Sequence, residues 1–143
     1  MTRDELLGRW NIVSWTQDYD DGRVMKPMGE ALEGFILYAP DGTMCCFIGR
    51  AGRPSFPSGL QFQATEAEKA QAYDGLMSYG GRFVLDGDRV EHHVEISAFP
   101  NWVGGVQKRT LKMDGEELLI TARLEAGTPE ARTATLRWKR AAG

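Results

Sequence analysis

Asp-Gly steps punctuate this chain between short apolar runs, at Asp21-Gly22, Asp41-Gly42, Asp86-Gly87-Asp88 and Asp114-Gly115. Each sets a residue that tolerates positive φ beside an Asx-turn former, a combination that reverses a strand within a few residues. The segments between them are of strand length: 9–18, 23–28, 33–40, 43–49, 81–86, 89–99, 105–113, 117–124 and 131–140. Pro27 marks the second as an edge strand or an exit from the sheet. About nine strands at this short, even spacing predict an all-β barrel or sandwich.

One stretch interrupts the meander. "RAGRPSFPSGLQFQ" is a Pro/Gly/Ser loop, and "TEAEKAQAYDGLMSYGG" then reads as a helix over 65–81. Thr65 and Glu68 form a capping box, and Gly80-Gly81 supplies the stop. Ala67, Ala70, Tyr73 or Asp74, and Met77 fall at helical spacing, so one narrow face can pack on a sheet. Such an insertion either lies across the open end of a barrel or plugs its core.

The two ends of the chain carry a complementary pair of signals. "LLGRW" opens the first strand and "LRWKR" closes the last. Glycine ahead of a strand tryptophan permits a tight bend, and the indole can close the barrel bottom. An arginine of the last strand, Arg137 or Arg140 according to register, can then lie over the ring.

At 143 residues the chain suits a single domain over 1–143, long enough to bury a core without staples. A hydrophobic fraction of 42%, a charged fraction of 26% and a net charge of −3 are those of an ordinary globular protein. They leave no electrostatic footprint for nucleic acid or an anionic membrane. "MTRDELLGRW" lacks the apolar core of a signal peptide, and no run approaches a membrane span. Adjacent Cys45 and Cys46 would face opposite ways on a strand, and without C-x-x-C spacing they suggest a reducing, cytoplasmic setting and argue against zinc.

Several stretches together resemble the bacterial and fungal lipocalin-like domain family, a calycin-type antiparallel barrel. They are "LLGRWNIVSW", "EGFILYAPDGTM", "RAGRPSF", "AYDGLMSYGGRF", "HHVEISAFPNWVG", "VQKRTLKMDGEEL" and "LRWKR", which span nearly the whole chain in order. The resemblance implies an up-and-down calycin barrel of about 8–9 strands with one helix inserted after the fourth. It implies little about activity: most members are functionally unassigned, and some occur in natural-product pathways, where lipocalin-like barrels act as cyclases or isomerases. Cys45-Cys46 departs from the small or aliphatic residues more usual in the fourth strand.

The strand "RVEHHVEISAF" holds both histidines of the chain. Alternation separates them. Val90, His92, Val94, Ile96 and Ala98 form an apolar face, and Glu91, His93, Glu95, Ser97 and Phe99 a polar one. If the apolar face lines the lumen, His92 is its only titratable group; burial keeps it neutral and able to accept a proton. A hydrogen-bonded core histidine is the plainer alternative. His93, between Glu91 and Glu95, would then sit on a solvated stripe, whereas a polar lumen would reverse the assignment. Two histidines are too few for a zinc or iron site, so no metal is expected.

On 105–113, Gln107, Arg109, Leu111 and Met113 share the face expected beside His92. Arg109 could hold a carboxylate, enolate or phenolate through directed hydrogen bonds, or serve as a buried ion-pair partner. In "FPNWVG", Pro100 breaks the strand, Asn101 suits a turn, and Trp102 offers a ring either to a flat ligand or to the loop beneath it. Tyr38, Tyr73 and Tyr79 are further ligand contacts or acid donors, Trp15 a lumen residue, and Cys46 a small buried hydrophobe beside Met44 and Ile48. No nucleophile elbow, phosphate loop or dinucleotide fingerprint is present.

These readings converge on a barrel whose lumen takes a small, mostly apolar or aromatic organic molecule without a cofactor. Ligand contacts are expected from Trp15, Cys46, Tyr73, Tyr79, Asn101, Trp102 and Gln107. The competing expectation is a cofactor-free isomerase, cyclase or lyase. In it His92 moves a proton while Arg109 or a tyrosine such as Tyr38 stabilises an oxyanion. A third is an interaction module with a filled core. A homodimer stays open.

Overall fold

A computed structural model of the chain describes residues 1–142. The nine strands are β1 (Gly8–Tyr19), β2 (Val24–Met25), β3 (Leu32–Tyr38), β4 (Thr43–Arg50), β5 (Leu76–Asp86), β6 (Arg89–Ser97), β7 (Val106–Asp114), β8 (Glu117–Leu124) and β9 (Arg132–Arg140). Helix α1 (Arg3–Leu6) precedes them, α2 (Glu66–Asp74) lies between β4 and β5, and a 3-10 turn (Pro100–Trp102) follows β6. All neighbours are antiparallel, and β1 pairs with β9 from Trp10↔Arg140 to Tyr19↔Arg132, which closes eight strands into an up-and-down barrel. The ninth, β2, pairs only with Gln17 and Asp18 of β1.

One end of the barrel is shut by the chain termini. Gly8 takes φ +111°, a conformation that side chains rarely adopt. The bend sets Trp10 Nε1 to donate to Leu6 O at 2.9 Å. Arg140, not Arg137, covers that indole, with its guanidinium carbon 4.1 Å from the ring centroid. It also donates to Leu7 O at 2.8 Å and to Glu5 O. Arg137 instead pairs with Asp114 and Glu117 on the outer wall. Above this floor lie Trp138, Leu118, Met44 and Tyr38, each almost fully buried.

The inserted helix is shorter than its sequence suggests. The capping box of Thr65 and Glu68 is present, but the helix ends at Gly75 rather than Gly80-Gly81. Asp74-Gly75 is a further Asp-Gly step of the kind that turns the chain elsewhere, and 76–86 are all strand. No residue of α2 is buried, so its Ala67/Ala70 face packs no core and the helix does not plug the barrel. It stands at the open end, where it and residues 50–57 enclose a groove of about 890 Å³ that shares no lining with the lumen.

Two glycines set the sheet geometry. A Cβ on Gly34 would collide with the Phe47 carbonyl, and one on Gly81 with the His93 carbonyl. Gly81 sits opposite a β-bulge: Gly80 pairs with Ile96 but Gly81 with Val94, so Glu95 is the extra residue. Past the bulge the faces exchange, which corrects the alternation expected for the end of this strand. Ile96 turns outward and is 72% exposed.

Candidate functional site

Inward residues of β1 and β3–β9 surround a cavity of about 730 Å³ that opens where Tyr19, Leu124 and Arg132 end or begin their strands. Trp15, Cys46, Tyr79, His92, Gln107 and Arg109 all contribute to its wall, as does Trp102 from the 3-10 turn. Two residues expected as ligand contacts do not. Asn101 is exposed on the solvent side of the turn, outside the cavity lining. Tyr73, on the unburied α2, reaches only a side groove of about 300 Å³ beside Trp102 and Phe99. With α2 ending at Gly75, Tyr73 stays on the helix while Met77 and Tyr79 alternate on β5 and face the lumen, so the two tyrosines part company.

His92 is the inward histidine, at 1% exposure. Its Nε2 lies 2.7 Å from the Tyr38 hydroxyl and its Nδ1 2.8 Å from that of Tyr79. His93 points outward, with its Nε2 3.2 Å from Glu91 Oε1 in an exposed pair. Burial foremost, then the nearby charges of Arg109 and His93, lowers the His92 pKa to about 3. The imidazole is therefore neutral, with one N–H and one bare nitrogen. Tyr38 is fully buried, lines no part of the cavity and has His92 as its hydroxyl's hydrogen-bond partner among the described residues. Its proton is satisfied only if it donates to Nε2. That fixes the hydrogen on Nδ1, which donates to Tyr79. The Tyr79 O–H is then free to donate elsewhere, towards Cys46 or the lumen.

This order separates the roles expected from the sequence. Tyr38 stands behind His92 and orients it without reaching the cavity. Tyr79 presents the hydroxyl at the cavity wall, packed edge-on to Trp102 with ring centroids 5.5 Å apart. Both phenols are held well above their ordinary pKa, by burial first and then by Cys46, with Arg109 opposing. Burial likewise pushes the Cys46 thiol up, which leaves it a protonated, poor nucleophile. The Cys45 thiol is also free, and its pKa too is raised by burial.

Arg109 projects from β7 into this neutral setting. Its Nη2 donates to Gln107 Oε1 at 2.9 Å and its Nη1 to Lys108 O at 3.1 Å, with no carboxylate in reach among the described residues. Because the Gln107 oxygen is engaged, its Nε2 faces away from Arg109 and has no protein acceptor. The indole N–H groups of Trp15 and Trp138, both on the cavity wall, also lack one. These unpaired donors were not anticipated from the sequence, since pairing depends on neighbouring strands rather than on residue type. Among the described residues no three His, Cys, Asp or Glu side chains converge as a metal centre requires. No helix among the described residues is long and apolar enough to cross a membrane.

Comparison with known proteins agrees with this architecture. The chain is 31% identical over 86 residues to the 4'-hydroxy-3'-methoxypropiophenone carrier protein ppsC of Aspergillus oryzae (strain ATCC 42149 / RIB 40), covering 54% of this chain and 78% of the relative. A lipocalin-like protein of Bacteroides uniformis ATCC 8492 superposes with a TM-score of 0.50 at 13% identity, over 96% of this chain and 99% of that one, a likeness of fold alone. The lipocalin-like domain model matches residues 7–141, from the bend before Trp10 to the end of the strand that closes the barrel, and the chain belongs to that family.

Proposed function

We propose that this protein binds a small organic molecule, largely apolar or aromatic, inside the barrel. The observation that carries the reading is the cavity of about 730 Å³, open at one end and walled by Trp15, Trp102, Ile36 and Leu136 among a few placed polar groups. That size and chemistry suit a ligand of drug-like dimensions. The identity shared with a carrier of an aromatic ketone supports the same class. The two free thiols suit a reducing compartment, so the carrier would work in the cytoplasm.

The test is titration with 4'-hydroxy-3'-methoxypropiophenone, followed by tryptophan fluorescence because Trp15, Trp102 and Trp138 line the cavity. Saturable quenching is expected, and it is lost when Ala134, buried on the lumen wall, is enlarged in Ala134→Phe. A panel of flat aromatic ketones and phenols that leaves fluorescence and heat of mixing unchanged would remove the reading.

A second reading rests on the Tyr38–His92–Tyr79 chain beside Arg109. In a cofactor-free isomerase, cyclase or lyase, Tyr79 would deliver a proton and Arg109 would hold the oxyanion. A conjugate-acid pKa of about 3 makes His92 a weak base at neutral pH, which favours the carrier. The two diverge on turnover: a carrier releases its ligand chemically unchanged, whereas an enzyme converts it and loses that conversion in Tyr79→Phe.

A further inference from the structure

The polar groups of the lumen wall are unbalanced. The Gln107 amide nitrogen, the indole nitrogens of Trp15 and Trp138 and Arg132 Nε are buried donors with no protein acceptor. Tyr79 adds a hydroxyl whose oxygen accepts from His92 Nδ1 and whose hydrogen can turn to Cys46 Sγ or into the lumen. Among the described residues no aspartate or glutamate lines the cavity. The rim arginines have their own partners, Arg123 with Asp20 and Arg132 with Glu125. Arg109 has none: its fork rests on an amide oxygen and a backbone carbonyl, both neutral. Charges withdrawn from water are ordinarily paired, and a guanidinium does not discharge itself by losing its proton. The wall thus supplies donors in excess and leaves Arg109 without a carboxylate, while the amide oxygens of Gln17 and Gln107 are already engaged by Tyr19 and Arg109.

We propose that the lumen selects organic acids, an apolar or aromatic body carrying a carboxylate, phenolate or enolate, with the oxyanion held by Arg109 and Tyr79. This rests on the reading of the barrel as a carrier and adds the head group that the carrier recognises. The apolar body packs against Trp15, Trp102 and Leu136, while the oxygen takes the position that no protein acceptor fills. Neutral hydrocarbons of the same shape lose every one of these hydrogen bonds and bind weakly. Organic cations are rejected by Arg109.

Two fluorescent probes that share one skeleton separate the contributions: 8-anilinonaphthalene-1-sulfonate, an anion, and N-phenyl-1-naphthylamine, which lacks the sulfonate and is neutral. Wild-type protein is expected to bind the anion at least ~10-fold more tightly, as a charge-assisted contact requires. Arg109→Met should remove that preference and leave the neutral probe's affinity within about 2-fold. Ala134→Phe, with its circular dichroism checked, should abolish both. Equal affinities in the wild type, or an anion preference that survives Arg109→Met or Ala134→Phe, would overturn the proposal while a lumen for neutral ligands stands. Failure of both probes to bind would overturn the carrier reading along with it.

Discussion

His92 sits where local and distant information meet. Strand alternation places it on the apolar face, and the structure puts that face inside. Its protonation gives a stability signature. The unfolded chain binds a proton at His92 as pH falls through about 6.5, whereas the folded protein resists until about 3. Between those values the unfolded state holds more protons, so stability falls on acidification, by up to about 1.4 kcal/mol per pH unit from this group. His92→Gln keeps one donor and one acceptor between the tyrosines and removes the titration. Urea unfolding at pH 7, 6, 5 and 4 should give a shallower loss for the variant than for the wild type. Parallel curves would mean that His92 protonates in the fold at an ordinary pKa. The tyrosine partners were not legible in the same way: Tyr38 lies 54 positions from His92, and only the closed sheet sets the two 2.7 Å apart.

At the level of the element, the sequence reads well wherever period and punctuation agree. Eight of the nine strand positions follow from the turn steps and alternating runs, and β5 is cut short only because Gly80-Gly81 looks like a helix stop. Those glycines serve the sheet instead, since Gly81 leaves room for the His93 carbonyl at the bulge. Gly81→Ala should therefore cost about 3 kcal/mol, in the range of strained core substitutions, and lower Tm by roughly 10 °C for a domain of this size. A change under about 2 °C in a thermal melt would show that the bulge relaxes freely. The helix α2 has its N-terminus written plainly in Thr65-x-x-Glu68, but its end and its lack of buried residues emerge only against β5.

Across the whole molecule, the cavity mouth and the closed floor occupy opposite ends. The floor is tied by Arg140 on Trp10 and on the carbonyls of Glu5 and Leu7, while the mouth lies beside β2, α2 and the 3-10 turn. Arg140→Met should destabilise by about 1–2 kcal/mol through loss of the cation–π contact and two hydrogen bonds. Arg137→Met, which removes exposed pairs, should cost under about 1 kcal/mol. Urea midpoints test the ranking, and probe affinity should be the same in both variants. An Arg140 variant as stable as wild type would mean that Trp10 and α1 close the floor unaided.

Short-range patterning alone sets the antiparallel strand succession, the separation of His92 from His93 and the tryptophan–arginine pairing of the two termini. Each follows from rules that operate within a few residues: a period of two, an Asp-Gly turn, a glycine before a ring. Long-range strand register, by contrast, settles which arginine meets Trp10, where the bulge reverses the faces of β6, and that Tyr38 orients His92 while Tyr79 meets the lumen. It alone also left the donors of Trp15, Gln107 and Trp138 without protein acceptors. Those outcomes depend on register between strands far apart in the chain, and closing the barrel is what fixes that register.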